Sequence, residues 1–230
     1  MNSRKQQLLK NIVETYAKNA EPVSSSLLAE NFNLSPATLR NEMVELEKDG
    51  YVFQPHISAG RVPSEDGYRY YVENFLDKNS SGDLILKKNF EQILNLESDQ
   101  LRKIKELAKK LAEASRQTVL IGFAPNDVYY TGISNLFSKP EFSNPEIVYN
   151  LSLIIDHLDQ VMAKVYDDVN DKVEILIGRD NPFDQNCSVL LTDFKNQADK
   201  AILGLLGPTR MDYQHNYNLL TSVKKLLNQS

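Results

Sequence analysis

The sequence predicts an α+β protein whose first 78 residues form a winged helix-turn-helix, and three observations carry that expectation. Ser35-Pro36 opens a segment of helical apolar spacing that runs to Gly50. Directly after it, Tyr51-Val52-Phe53 reads as a strand and Gln54 to Pro63 as a polar loop centred on a glycine. Beyond residue 117, strand-like and helix-like segments interleave, which predicts a mainly antiparallel sheet with helices packed on it.

The first helix is expected from about Ser3 to Lys18, since Leu8, Leu9, Ile12, Val13 and Tyr16 fall on one stripe. Glu21-Pro22 ends it. A second, short helix starts at a serine of Ser24-Ser25-Ser26 and offers Leu27, Leu28 and Phe32 to the core, with Asn33-Leu34 as the turn. The third has Ser35 as N-cap and Pro36 at the first helical position, where a missing N–H costs nothing. Leu39, Met43 and Leu46 define its buried side, leaving Ala37, Thr38, Asn41, Glu45 and Lys48 outward and Arg40 on the shoulder.

Such a face, small and polar in its first turns, suits a helix lying in the major groove of DNA. There Asn can pair with adenine, Arg with guanine or phosphate, and the Ala and Thr methyls can meet thymine methyls. An ordinary solvated face has the same composition, and the flanking strand and loop decide between the two. The loop reads as a wing whose glycine lets backbone approach a phosphate or a minor groove, with Arg61 as its positive charge. Ser64 is expected to cap a fourth helix, with Tyr68, Tyr71, Val72 and Phe75 packed and Arg69 and Tyr70 facing phosphate or solvent.

Charge argues against this reading. The chain carries a net charge of −5, and the first 78 residues hold nine Lys/Arg against eleven Asp/Glu. Phosphate attraction supplies much of the affinity for DNA, so the placement of charges has to matter more than their sum. Cys187, the only cysteine, excludes an internal disulfide and reads as a packed thiol. The three histidines, His56, His157 and His215, lack ligand spacing, so no metal is expected. No nucleophile, acid/base pair or phosphate-cradling loop stands out, so neither an enzyme nor a cofactor is expected. Apolar runs fall short of the roughly 18 residues of a membrane span, which predicts a cytoplasmic protein with no membrane partner.

The stretch Glu21 to Val72 resembles the amino-terminal domain of the HrcA family, bacterial heat-inducible transcription repressors. YYTGISNLFSKPEF at 129–142, IGRDNP at 177–182 and LGLLGPTRMDY at 203–213 resemble that family's later blocks in the same order. The resemblance implies repression of chaperone genes by a homodimer on double-stranded DNA, at an inverted-repeat operator. It also implies a GAF-like domain behind the DNA-binding domain, and dependence on a GroE-type chaperonin. By the same resemblance Ser35, Ala37, Thr38, Arg40 and Asn41 fall on the recognition helix and Ser58, Gly60 and Arg61 on the wing; Arg69 joins them as a candidate.

The expected organisation is a winged helix-turn-helix domain at 1–78, a linker with helices at 79–116, and a truncated GAF-like regulatory and dimerisation domain at 117–230. Truncation is inferred because only TVLIGFAPNDV stands where family members carry a long segment with an inserted dimerising domain. Asn79 to Gly82 reads as the linker, followed by helices from Asp83 to about Leu96 and from about Ser98 to Ser115. Leu101, Ile104, Ala108 and Leu111 make a short coiled-coil-like seam in the second. Strands are expected at 118–123, 128–131, 172–177, 187–194 and 201–206, and helices near 145–167 and 211–227, the last capped by Thr209. Two other functions fit less of the sequence: a ligand-responsive GAF-like sensor, and a protein-interaction module that has lost operator binding.

Overall fold

The structure is a computed structural model and describes residues 1–80, 90–93, 97, 99–197 and 199–229. Two compact units, Met1–Leu76 and Asp77–Ser230, divide the chain.

In the first unit, helix α1 (Ser3–Asn19) starts at the Asn2 cap and stops at Ala20, which adopts a left-handed conformation with φ of 58°. Helices α2 (Ser25–Phe32) and α3 (Pro36–Lys48) follow, the turn between them passing through left-handed Asn33. Ser24 Oγ accepts from Leu27 N at 3.2 Å, and Ser35 Oγ from Thr38 N at 3.1 Å, so each helix opens on the serine its sequence offers. Gly50, with φ of 83°, turns the chain out of α3 into β1 (Val52–Phe53). That strand pairs antiparallel with β2 (Val62–Pro63), and α4 (Glu65–Phe75) follows from the Ser64 cap.

The core of this unit joins Leu8, Leu9, Ile12 and Val13 of α1 to Leu28 of α2, Leu39, Met43 and Leu46 of α3, Val23, Val52 and Val62, and Tyr68 and Tyr71 of α4. Burying each large aliphatic side chain stabilises by roughly 1.5–3 kcal/mol. Leu27, expected inside, is exposed, because α2 is only two turns long and Leu28 occupies its inward stripe. Tyr70 meets Tyr51 edge to face at 5.2 Å and its hydroxyl accepts from Gln6 Nε2 at 2.7 Å, so it faces α1 and β1.

The second unit is built on one antiparallel sheet of β3 (Thr118–Ala124), β4 (Asp127–Thr131), β5 (Glu174–Ile177), β6 (Cys187–Asn196) and β7 (Asp199–Pro208), in spatial order β4-β3-β7-β6-β5. The composition of helix and antiparallel sheet fits an α+β class with a GAF-like fold. On one face Leu120, Val189, Leu191, Ile202 and Leu206 pack against Leu151 of α7 (Pro145–Asp156) and Leu158 and Met162 of α8 (Leu158–Val165). Alternation turns Val119, Ile121, Leu190, Leu203 and Leu205 to the other face, also buried, where α5 (Gln100–Ser115) and α9 (Tyr213–Leu227) lie.

Several expectations change here. The helix expected from Asp83 to Leu96 falls outside the described residues except for 90–93, which are helical. The seam on α5 is used within its own unit: Ile104, Leu107, Ala108, Leu111 and Ala112 are buried, while Leu101 remains 47% exposed. The helix expected over 145–167 breaks at His157 into α7 and α8. A five-residue helix, α6 (Ile133–Phe137), sits inside the YYTGISNLF block, too short to leave a periodic signature. Asp212, not Thr209, caps α9, its carboxylate accepting from His215 N at 3.0 Å, while the Thr209 carbonyl accepts from the Tyr213 hydroxyl at 2.6 Å. Cys187 is fully buried, and that burial pushes its thiol pKa up, in keeping with a packed, inert side chain.

Candidate nucleic-acid interface

The outward face of α3 is presented as its spacing predicts. Ser35, Ala37, Arg40 and Asn41 are exposed and Thr38 half-buried, while Leu39, Met43 and Leu46 hold the opposite side in the core. The Ser35 hydroxyl lies 2.9 Å from the Thr38 hydroxyl, so both are engaged in closing the first turn. Among the described residues Arg40 alone of the four arginines of this unit makes no ion pair; Arg4 contacts Glu42, Arg61 contacts Glu47, and Arg69 contacts Glu65 and Asp66.

Those pairings correct two expectations. Arg61 is 8% exposed, its guanidinium 2.9 Å from the Glu47 carboxylate, so it is a buried brace and not a charge offered from the loop. The cause lies in its backbone: Arg61 N donates to Val23 O at 2.8 Å and Val23 N to Arg61 O at 2.9 Å, which ties residue 61 to the segment before α2 and turns its side chain beneath the loop. Arg69 is held by acids one turn back on its own helix, Asp66 at 2.7 Å and Glu65 at 3.0 Å. Neither cation is free for phosphate as the structure stands.

Gly60 meets a packing requirement within the unit itself. A Cβ built there would lie 2.3 Å from the Val23 carbonyl oxygen and 2.8 Å from the Pro22 carbonyl carbon, so the glycine permits the loop backbone to dock on the chain before α2. The loop is also braced from within. Gln54 Nε2 donates to the carbonyls of Ile57 and Ala59, each at 2.9 Å, and Gln54 N donates to Glu47 Oε1 at 3.0 Å. Glu47 thus anchors both ends of the loop, with one oxygen on Gln54 and the other on Arg61.

Between this loop, α3 and the start of α2 runs an open groove of about 400 Å³. Its lining comes from Ser24 and Ser26 at the start of α2, Arg40 and Met43 of α3, and Ile57, Ser58, Gly60 and Arg61 of the loop. Among the described residues no carboxylate lines it. The amino end of α2 brings its unpaired N–H groups and positive dipole end to the groove. The three acids of α3 are engaged by cations: Glu42 by Arg4, Glu47 by Arg61, and Glu45 by Lys5 at 2.6 Å, where the hydrogen bond from Lys5 and then its charge hold the Glu45 carboxyl below its ordinary range. Sequence reasoning missed Ser24 and Ser26 because it treated the serine cluster only as a helix start. The groove therefore unites Arg40, Ser58, Gly60 and Arg61 among the expected residues; Ser35, which caps α3, and Ala37, Thr38 and Asn41 on it lie outside the lining, and Arg69 is not part of it.

In the second unit, Arg210 of the GPTRMDY loop makes a two-pronged ion pair with Glu141 of the SKPEF segment. The Tyr213 hydroxyl lies 2.9 Å from Ser188 Oγ. This chemically rich loop is thus tied into its own fold.

Comparison with known proteins places the chain. The family model described as the HrcA protein C-terminal domain matches residues 49–216. A heat-inducible transcription repressor HrcA of Natranaerobius thermophilus is 33% identical over 258 aligned positions, covering 99% of this chain and 74% of the relative. The corresponding protein of Caldanaerobacter subterraneus is 25% identical over 332 positions, covering 99% and 96%. That alignment is longer than the 230 residues available here, so the relative carries positions that face no residue of this chain. A crystal structure of a hypothetical protein at 2.2 Å superposes with a TM-score of 0.83 at 19% identity, covering 100% of this chain and 98% of the other, and so shares the fold. With a matching family model over most of its length and relatives aligned along nearly all of it, the chain belongs to the HrcA family.

Proposed function

We propose that the protein is a transcriptional repressor of heat-shock genes whose first unit is a winged helix-turn-helix that binds operator DNA, α3 entering the major groove and the loop from Gln54 to Arg61 acting as the wing. The observation that carries this reading is the placement of charge. Among the described residues, the groove beside α3 is free of carboxylates and bordered by the unit's one arginine without an ion pair, while the acids near it are neutralised by Lys5, Arg4 and Arg61. The three acids of α3 are thus each paired with a cation beside the surface that would meet DNA. The names of the relatives, heat-inducible transcription repressors, supply the regulatory role.

Within this reading, Asn41 and Ala37 meet base edges, Thr38 and Ser35 border the first turn, and Arg40, Ser58 and the amino end of α2 hold a phosphate strand in the groove. Arg61 and Gly60 position the wing, and Arg69 is not in contact with DNA. Asn41→Ala is expected to lower discrimination at one base pair by about 1–3 kcal/mol, and Arg40→Ala to weaken binding to all duplexes and flatten the salt dependence by roughly one phosphate. Both variants should melt like the parent, since neither side chain is buried. Titration of duplexes differing at single base pairs checks this; an Asn41→Ala protein with unchanged discrimination removes Asn41 from the readout.

An inverted repeat needs two such units, and we assign the pairing to the second unit. The exposed apolar residues of α7 support this: Tyr149 is 62% exposed and Leu153, one turn on, is 44% exposed. Sedimentation at micromolar concentration should show a dimer, and Leu153→Glu should shift it toward monomer. A parent protein that sediments as a monomer, and forms no dimer on a duplex bearing the inverted repeat, would remove the dimer from the account.

A further inference from the structure

Ile57 stands at the tip of the β1–β2 loop with 97% of its surface exposed, making almost no contact with its own protein. Nothing about its position is loose. The two hydrogen bonds from Gln54 Nε2, to the Ile57 carbonyl and to the Ala59 carbonyl, and the Ala59 N to His56 O turn at 2.9 Å fix the backbone on either side of it. The side chain is a β-branched residue with few χ1 states, so little rotamer freedom is lost when it is gripped. It lines the same groove as Arg40, Ser24, Ser26 and Ser58.

Its neighbours in sequence are a poor protein-binding surface. Pro55, His56 and Ser58 beside it are exposed, and of these His56 and Ser58 are polar, so the tip itself carries one large apolar side chain flanked by polar ones. A single apolar side chain projecting from a rigid loop, next to a groove suited to a phosphate strand, has the form of the apolar wedges that proteins place against or between base steps from the minor-groove side. We propose that Ile57 is such a contact: it enters the minor groove flanking the major-groove site of α3, packs on sugar and base edges, and favours deformable A·T-containing steps there. The inference rests on the DNA-binding reading above and adds a sequence preference by shape at a position that no polar side chain of α3 reaches.

Two features make the proposal separable from simple electrostatic binding. Ile57 carries no charge, so its removal leaves the slope of log affinity against log salt unchanged while affinity falls. A G·C pair projects an amino group into the minor groove, so it should be penalised at the contacted step only while the apolar tip is present.

The experiment uses the full chain and a duplex enriched from a randomised library by the wild-type protein, with bending followed by energy transfer between dyes at the duplex ends. Ile57→Ser is expected to bind that duplex roughly tenfold more weakly, with the same salt slope and a smaller bend, and to lose the penalty for A·T to G·C replacement at the flanking step. Ile57→Leu should restore most of the affinity and the bend. If Ile57→Ser keeps the parent's affinity and bend, the inference is overturned and the DNA-binding reading stands. A reduced salt slope, or a change in self-association in place of a change in DNA affinity, overturns it as well, the second by showing that the tip meets protein. Wild-type protein that enriches no duplex overturns both this inference and the reading it rests on.

Discussion

Replacing Leu39 by alanine should cost the first unit about 2–5 kcal/mol, the range for deleting three carbons from a fully buried core position. Leu39 is 0% exposed and sits on α3 between the exposed Arg40 and Thr38, so the variant removes support from directly beneath the proposed recognition face. For a unit of this size each kcal/mol moves the melting midpoint by roughly 4–8 °C. Calorimetry should therefore show the transition of the first unit displaced by at least about 8 °C. DNA binding measured well below that transition should change little, because the outward side chains are untouched. A midpoint within about 2 °C of the parent would mean that α3 is not packed as described.

The second large effect is expected from the smallest substitution. Gly60→Ala places a methyl group 2.3 Å from the Val23 carbonyl oxygen and 2.4 Å from its carbon, and both are backbone atoms that cannot rotate away. The loop has to lift from the chain before α2, which breaks the reciprocal hydrogen bonds between Val23 and Arg61 at 2.9 and 2.8 Å. Losing them and disturbing the buried Arg61–Glu47 pair should together cost roughly 2–4 kcal/mol. Because the lifted loop also widens the groove and moves Ile57 and Ser58, affinity for DNA should drop with stability, unlike the outcome for Leu39→Ala at low temperature. Unchanged melting and unchanged affinity would show that the Val23–Arg61 bridge does not hold the loop.

The contrast between these two positions shows what could be read from the residues alone. Leu39 was legible because burial along a helix follows from spacing, and the caps at Ser24, Ser35 and Ser64 were legible because each acts on N–H groups two or three residues away. Arg61 and Gly60 were legible as loop residues, whereas the brace they make within the unit was not. Arg61 meets Val23 and Glu47, and Gly60 packs on Pro22 and Val23, all distant enough along the chain that no local pattern records the approach. The groove escaped notice for the same reason, being assembled from the start of α2, the shoulder of α3 and the loop. In the second unit the strand order and the use of the α5 seam against its own sheet also depend on distant partners, so the strands were legible and the role of the helix was not.

The groove also explains how a unit with more acids than bases can present a face to DNA. Charge counted over a sequence weights every side chain equally, whereas the potential near a phosphate depends on which charges are already neutralised at contact distance. Glu42, Glu45 and Glu47 lie on the same helix as Arg40 and Asn41, yet each contacts a cation supplied by α1 or by the loop.

The central claim, that this face binds DNA selectively through a small number of phosphate contacts, is tested most directly by titrating the wild-type protein with a duplex bearing the inverted repeat it enriches and with a scrambled duplex, over a series of salt concentrations. The account predicts tighter binding to the enriched repeat at every concentration, by roughly a thousandfold or more over the scrambled sequence, with log affinity falling linearly against log salt for both. Equal retention of the two duplexes, or an affinity indifferent to salt, would contradict it.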